Sequence, residues 1–407
     1  MFDYHYVSPQ QLAGFDKYKY SAVDTNPLSV YIMQHLWNRM VKAVPLWIAP
    51  NLLTFSGFLL ILINYFLLCC YDWDYKASDL GSQHIPGWVW GVSGLTTFSA
   101  YALDSIDGKH ARRTQSSSPL GELFDHGLDS WATSIFTLSL FSVFGISPGR
   151  SVSAYTFYYV LWIILFTFLL SHWEKYNTGV LFLPWGYDIS QVTLTGVYLL
   201  TAVVGVEAWY RPLPFGYFFA DILIAMVIGC SAFLSMPQTL YNIYQARKNR
   251  TIKRSSTYEG LLPLLSPCLL FALLTAWVMA SPGDVLAQHP RLFLWMTGVA
   301  FSNVTCRLII CQMTSTRSEA FHWLLLPLSV ITIGVSTGLV VKSEILVLVG
   351  YTVLVTAAHV HYGVCVVSTW IVLDKYVSYA FSVTVFDILL YSAPFQIPFD
   401  KSHIAMT

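Results

Sequence analysis

About ten stretches of roughly twenty predominantly apolar residues run through this chain, and they restrict its fold more than any other feature. A helix needs about 20 such residues to cross the hydrocarbon of a bilayer. The stretches are 51–70, 87–107, 124–146, 152–172, 191–209, 216–237, 259–281, 291–312, 320–340 and 345–373. The expected fold class is therefore an all-α polytopic membrane protein of about ten transmembrane helices. Composition agrees: of 407 residues 55% are hydrophobic and 11% charged, against about 25% charged in soluble domains. So few charges cannot cover a water-facing surface, which excludes an ordinary cytosolic protein and a disordered chain. Twenty-two basic and twenty-two acidic residues cancel, so no global field recruits nucleic acid. The seven cysteines have no metal-ligand spacing, and a disulfide framework is not expected.

Met1–Asn26 is polar and lacks the apolar core of a cleavable signal peptide. Within Pro27–Trp47, Leu28, Ile32, Leu36, Met40 and Val44 recur at helical spacing beside Arg39 and Lys42, the pattern of an interfacial amphipathic helix. Four regions follow: a cytosolic N-terminal segment (1–47), a first block of helices (48–240), C-terminal transmembrane helices (241–373) and a tail (374–407). With a cytosolic amino terminus and ten alternating spans, sixteen of the twenty-two Lys and Arg fall on the cytosolic side, five on the far side, and Arg307 within a span. That bias follows the positive-inside rule. The basic run Arg247–Arg254 then lies in a cytosolic loop, where the Asn249-Arg250-Thr251 sequon is out of reach of glycosylation.

The informative charges are acidic. Near the cytosolic end of the second span the chain reads Asp104-Ser-Ile-Asp107-Gly108-Lys-His-Ala111-Arg112, and the third span opens Gly121-Glu-Leu-Phe-Asp125-His126-Gly-Leu-Asp129. Spacings of three and four place each aspartate pair on one helix face, and a short connection aims both faces at one volume. Four carboxylates so close in a low-dielectric setting repel strongly unless cations neutralise them. Oxygen-only ligands favour hard ions such as Mg²⁺ or Mn²⁺, and four carboxylates can hold two ions in the arrangement that clamps an in-line phosphoryl displacement. Arg112 offers a planar fork for phosphate oxygens, and Gly108 and Gly121 let backbone approach a ligand.

The pattern D-x2-D-G-x2-A-R-x8-G-x3-D-x3-D, with eight fixed positions, is present without a departure, and by it the chain resembles the CDP-alcohol phosphotransferases. Pro50-Asn51-Leu52 and Gly108–Ser130 are similar to the eukaryotic choline/ethanolamine phosphotransferases. Tyr18–Asn26, Ser171–Gln191 and Ala202–Trp209 are most similar to the ethanolaminephosphotransferase branch of the selenoprotein I type, except that the tail here has no selenocysteine. The resemblance implies that Asp104, Asp107, Asp125 and Asp129 hold two Mg²⁺ or Mn²⁺ ions, with Asp125 bridging. Asn51 and Arg112 would contact the CDP-alcohol, while Gly108, Ala111 and Gly121 leave it room. The implied reaction transfers phosphoethanolamine from CDP-ethanolamine to diacylglycerol, giving phosphatidylethanolamine and CMP. His126 is the expected general base, with Asp129 as the competing candidate. Where choline-type relatives carry a supporting glutamate this chain has Gln191, so support for the base falls to Gln191 or Glu174. The resemblance also implies a homodimer in the endoplasmic reticulum or Golgi membrane, with its active site facing the cytosol.

The residues by themselves leave other classes open. A cation transporter would also carry intramembrane carboxylates, yet here they cluster at one end and no inverted repeat is evident. A silent scaffold would have no need of intact metal ligands. Nothing in the spacing separates ethanolamine from choline, so a cholinephosphotransferase or a dual-specificity enzyme remains the alternative within the class. His359 and His361 diverge on a helix and read as packing residues, and Arg307 calls for a buried acceptor or an interfacial position.

Overall fold

The computed structural model describes residues 4–79, 81–146, 152–183, 186–254 and 256–375. The tail expected at 374–407 lies outside them, apart from its first two residues. The order is α1 (Pro9–Phe15), β1 (Ala22–Val23), a π-helical turn (Ser29–Met33) running into α2 (Gln34–Ala43), α3 (Pro50–Tyr71), α4 (Gly87–Arg113), α5 (Pro119–Phe144), α6 (Ala154–Thr178), β2 (Leu181–Phe182) and α7 (Gly186–Val204). Then follow α8 (Phe219–Gly229), continued through a π-helical turn (Cys230–Ser235) into α9 (Met236–Lys248), then α10 (Thr257–Ala280), α11 (Val285–Gln288), α12 (Pro290–Thr314), α13 (Leu325–Ser336) and α14 (Glu344–Lys375).

Helices stand at all ten apolar stretches, but they are not equivalent. Among the described residues seven are long and apolar enough to cross a membrane: α3, α6, α7, the α8–α9 rod, α10, α12 and α14. A polytopic membrane fold is thus borne out, and the exact count of ten is not confirmed. Two of the others, α4 and α5, have 27 and 26 residues, but charged residues crowd the last turns of α4 and the first turns of α5. The ninth stretch, expected over 320–340, forms only the 12-residue α13, about 18 Å long at 1.5 Å per residue and short of a hydrocarbon core of about 30 Å.

The helices that carry the aspartates are joined by a tight connection whose chemistry is local. His110, Arg112 and Arg113 occupy the last turn of α4, where the helix dipole favours positive charge. Gln115 has a positive φ of 57°. Ser118 then caps α5, its hydroxyl accepting from the Gly121 amide at 3.1 Å, with Pro119 at the first helical position. Packed along both α4 and α5, α3 fixes how they converge, and α7 covers the other side of α4.

The expected interfacial helix is present as the π-helical turn and α2, lying across the end of α4. Met33, Trp37 and Val41 face inward and pack with Tyr101 and Ile106, while Tyr31, Ile32 and Leu36 are exposed. Arg113 Nη1 donates to the carbonyls of Val41 and Val44 at 2.6 and 2.8 Å, and Lys109 Nζ to Asn38 Oδ1 at 2.8 Å. The chain before it returns to the same face, where β1 pairs in parallel with β2, Ala22 opposite Leu181 and Val23 opposite Phe182.

Near-complete burial makes α12 the central post, against α5, α6 and α14. At its first turn Arg291, 1% exposed, holds the opposite end of the molecule together. Its Nη2 donates to Asp72 O at 2.5 Å and to Ser142 Oγ at 2.7 Å, its Nε to Trp73 O at 3.1 Å, and its guanidinium lies 3.9 Å from the Tyr75 ring centroid. Arg307 pairs with Glu319 at 3.0 Å, an exposed acceptor rather than a buried one. His359 packs edge-on to Trp131 at 5.0 Å, while His361 Nδ1 meets the Tyr6 hydroxyl at 3.0 Å, so the two histidines diverge as packing residues.

Candidate active site

The last turns of α4 and the first turns of α5 bring the four aspartates together. Ligating oxygens of Asp104, Asp107 and Asp125 lie within 4.8 Å of one another, and so do the ligand atoms of Asp125, His126 and Asp129. Asp125 belongs to both groups, the position a bridging carboxylate would take. Its Oδ1 is buried with no hydrogen-bond partner among the described residues. A buried, partnerless carboxylate oxygen among other carboxylates is costly, and a hard cation is the neutralising group that an all-oxygen donor set selects. The residues therefore fit the divalent ions that the sequence called for.

Neighbouring helices orient the outer carboxylates. Thr54 Oγ1 on α3 donates to Asp107 Oδ2, and the Tyr187 hydroxyl on α7 donates to Asp104 Oδ2 at 2.6 Å. Partners of this kind hold a ligating oxygen in place before an ion arrives. Tyr187 is in turn backed by Tyr101, whose hydroxyl donates to Asp188, and Asp188 accepts from Asn26 Nδ2 at 3.0 Å.

Beside the aspartates the structure brings together part of the expected nucleotide-binding set. A Cβ on Gly121 would lie 3.4 Å from Asn51 Oδ1, so the missing side chain keeps the first turn of α5 close to α3. Arg112 is exposed and folds back over Gly108, with Nη1 3.7 Å from where a Cβ would stand. Ala111 is half-buried beside it. A narrow crevice is lined by Gly57, Phe58, Ile61, Ala132 and Phe136 together with Asp104 and Asp129.

His126 sits on the same face of α5, its side chain 11% exposed. Its Nδ1 is 3.7 Å from Asp129 Oδ2 and its Nε2 3.6 Å from Glu122 Oε1. The ring of His172 lies edge-on at 5.4 Å, with Nδ1 3.0 Å from the Gln312 amide nitrogen. No hydrogen bond among the described residues joins His126 to either residue expected to support it. Both oxygens of Glu174 are engaged toward α9, accepting from Thr239 Oγ1 at 2.9 Å and Asn242 Nδ2 at 2.7 Å. Gln191 is buried on α7, its Oε1 without a partner among the described residues. Glu122 stands there instead, tied to Lys175 Nζ and to the Tyr18 hydroxyl, each at 2.6 Å. Burial first, and then the adjacent Glu122 carboxylate, push the Tyr18 phenol up, so it remains a donor. Sequence reasoning passed over Glu122, although its spacing of four from His126 was the available signal.

The sequence profile of the CDP-alcohol phosphatidyltransferase family matches residues 47–232, the span that holds the four motif aspartates, Asn51, Arg112 and His126. The chain is 56% identical to ethanolaminephosphotransferase 1 of Homo sapiens, over 90% of this chain and 92% of that one. It is 55% identical to ethanolaminephosphotransferase 1 of Mus musculus over the same shares. To choline/ethanolaminephosphotransferase 2 of Arabidopsis thaliana it is 31% identical, over 89% of this chain and 95% of the relative. Likeness of this extent, together with the complete motif folded into one carboxylate site, means that the chain belongs to the CDP-alcohol phosphatidyltransferase family of membrane enzymes.

Proposed function

We propose that this protein transfers phosphoethanolamine from CDP-ethanolamine to diacylglycerol, releasing phosphatidylethanolamine and CMP. The observation that carries the reading is the convergence of four aspartates around the partnerless Asp125 Oδ1, two of which, Asp104 and Asp129, also line an adjoining apolar crevice. The ethanolamine head group follows the names of the human and mouse relatives, both ethanolaminephosphotransferases.

Arg112 and Asn51 bind the CDP-alcohol, Arg112 through the diphosphate. Gly108, Ala111 and Gly121 leave space for the cytidine and diphosphate. Asp104, Asp107, Asp125 and Asp129 hold two divalent ions, Mg²⁺ or Mn²⁺, which when bound neutralise charge on the phosphate oxygens. The diacylglycerol hydroxyl reaches the aspartates along the crevice, and His126 takes its proton as the oxygen attacks the phosphorus that bears ethanolamine. The bond from that phosphorus to the CMP oxygen breaks, and CMP leaves. Much of the acceleration comes from holding a water-soluble donor and a lipid acceptor in line. The basic-residue bias supports a cytosolic site, and the family resemblance supports an endoplasmic reticulum or Golgi membrane and a homodimer.

Purified protein supplied with labelled CDP-ethanolamine and diacylglycerol tests the reaction. Transfer that stops with EDTA and returns with Mg²⁺ or Mn²⁺ is expected; transfer that is absent, or indifferent to EDTA, refutes it. A relative named for both head groups makes CDP-choline the competitor to include, and preferential transfer of choline would replace the donor assignment.

A further inference from the structure

Glu122 stands outside the eight motif positions, yet three parts of the chain meet at its carboxylate. Its Oε1 accepts from Lys175 Nζ on the last turn of α6 and from the Tyr18 hydroxyl in the segment between α1 and β1, both at 2.6 Å. The Lys175 side chain is 2% exposed and that of Glu122 10%. Lys175 also lies 5.4 and 5.3 Å from the ring centroids of Tyr18 and Tyr20. A buried ion pair with its own hydrogen bond is fixed in position and gives up more than one contact if either partner is removed. On its own helix Glu122 lies one turn before His126, its Oε1 3.6 Å from Nε2. The two nitrogens of that ring therefore have different surroundings. Nε2 is buried and at that distance makes no hydrogen bond among the described residues, with Glu122 as the carboxylate facing it, whereas Nδ1 is directed toward Asp129, which lines a crevice with Gly57 and Phe58.

We propose that Glu122, anchored by Lys175 and Tyr18, is a positioning residue that holds His126 with its proton on Nε2 and its Nδ1 lone pair aimed at the aspartate site. The inference rests on the reading of His126 as the base. An ionised carboxylate only accepts hydrogen bonds, and a neutral imidazole carries one N–H and one lone pair. The nitrogen that faces Glu122 is then the donor, and the other is the acceptor. Asp129 does not compete for the proton when its oxygens are committed to a cation. In the reaction the acceptor hydroxyl passes its proton to Nδ1 as its oxygen bonds to phosphorus, and CMP departs with the electrons of the broken P–O bond. The imidazolium keeps its Nε2–H on Glu122 and afterwards releases the Nδ1 proton to water. Tyr18, outside the matched span 47–232, thereby joins the N-terminal segment to catalysis.

The test uses the full chain in lipid–detergent micelles, with Glu122→Gln, Glu122→Asp and Tyr18→Phe made singly and in a His126→Ala background. Glu122→Gln is expected to lower kcat about 10- to 100-fold, part of the ~10²–10⁴ of a positioned base, while KM for CDP-ethanolamine stays within about twofold. Glu122→Asp recovers part of the loss, and Tyr18→Phe lowers kcat a few-fold. Added to His126→Ala, none of them lowers kcat more than about twofold further, because residues acting through one group are not additive. A Glu122→Gln enzyme with full kcat beside a crippled His126→Ala enzyme overturns this proposal alone. Losses that multiply in the double variants overturn it as well, since a purely structural role would behave so. Full turnover by His126→Ala overturns the base reading and this inference together. Should Glu122→Gln fail to fold, Glu122→Asp and Tyr18→Phe carry the same comparison.

Discussion

Replacing Asp125 by asparagine should stabilise the metal-free protein while abolishing its activity, an inversion that follows from the packing of the carboxylates. Oxygens of Asp104, Asp107 and Asp125 lie within 4.8 Å of one another. Two unit charges at that separation repel by about 3.5 kcal/mol at an effective dielectric near 20, and Asp125 takes part in three such pairs, with Asp104, Asp107 and Asp129. The site is partly open to solvent, since Asp104 and Asp125 are only half-buried, and screening lowers the relief to about 2–4 kcal/mol. Asparagine forfeits no hydrogen bond at Oδ1, which has no partner among the described residues. Unfolding entropy of about 2.1 cal/mol/K per residue over 407 residues converts that relief to a rise of about 2–5 °C in midpoint. Thermal unfolding in detergent, measured in EDTA and again with Mn²⁺, is the assay. Wild-type protein gains stability from the ion by mass action; Asp125→Asn starts higher in EDTA and gains little. An EDTA midpoint at or below that of wild type would refute the reasoning, because it would mean that the carboxylates are not in mutual repulsion.

At the opposite end, Arg291→Met should cost about 3–5 kcal/mol, since it strands the buried Asp72 carboxylate 3.7 Å away and removes the bonds to Asp72 O and Ser142 Oγ. Chemical denaturation in detergent measures it, and a loss below about 1 kcal/mol contradicts the role given to Arg291. Gly298→Ala should lower stability by about 1–3 kcal/mol, because its new Cβ would stand 2.5 Å from Ser134 Cβ where α12 meets α5; an unchanged midpoint in the same assay argues against that close approach. The Asn249-Arg250-Thr251 sequon, just past α9, should stay unmodified in cells. A glycan-dependent gel shift removed by substituting Asn249 would reverse the proposed sidedness.

Much of this was legible because it depends on short-range spacing. Apolar stretches located the long helices, and spacings of three and four located the aspartate faces. The same rule applied to His126 selects Glu122, but what makes Glu122 noteworthy was hidden. Tyr18 is 104 residues away and Lys175 53, and only tertiary packing puts them together. Glu174 misled for a related reason. It adjoins Lys175 in sequence, but successive helical residues point about 100° apart, so Lys175 turns to Glu122 while Glu174 turns to Thr239 and Asn242. Apolarity also overstated α13, which stops at Ser336 just before Gly338 takes a positive φ of 77°. Hydropathy registers that a stretch avoids water, and does not register where its backbone turns. The two-residue pairing of β1 with β2 carried no sequence signal at all, being too short for an alternating pattern.

The proposed substrates give a reason for placing the carboxylates at helix ends. CDP-ethanolamine is a charged, water-soluble donor, whereas diacylglycerol remains in the bilayer, so their reacting atoms can meet only near the boundary of the two phases. From Asp104 to Arg112 α4 runs eight residues, about 12 Å at 1.5 Å per residue, from the crevice that Phe58 and Ala132 also line to an exposed guanidinium. Over the same distance α5 runs in the opposite sense, from Gly121 beside Asn51 to Asp129 in the crevice wall. The two helices thus present the groups proposed to bind the nucleotide at one end of a common gradient and the apolar crevice at the other, with Asp125 between them. Either helix slid by one turn would carry an aspartate into hydrocarbon or the arginine away from the phosphates. The connection between them, with its basic last turn on α4, the positive-φ Gln115 and the Ser118 cap, fixes that register.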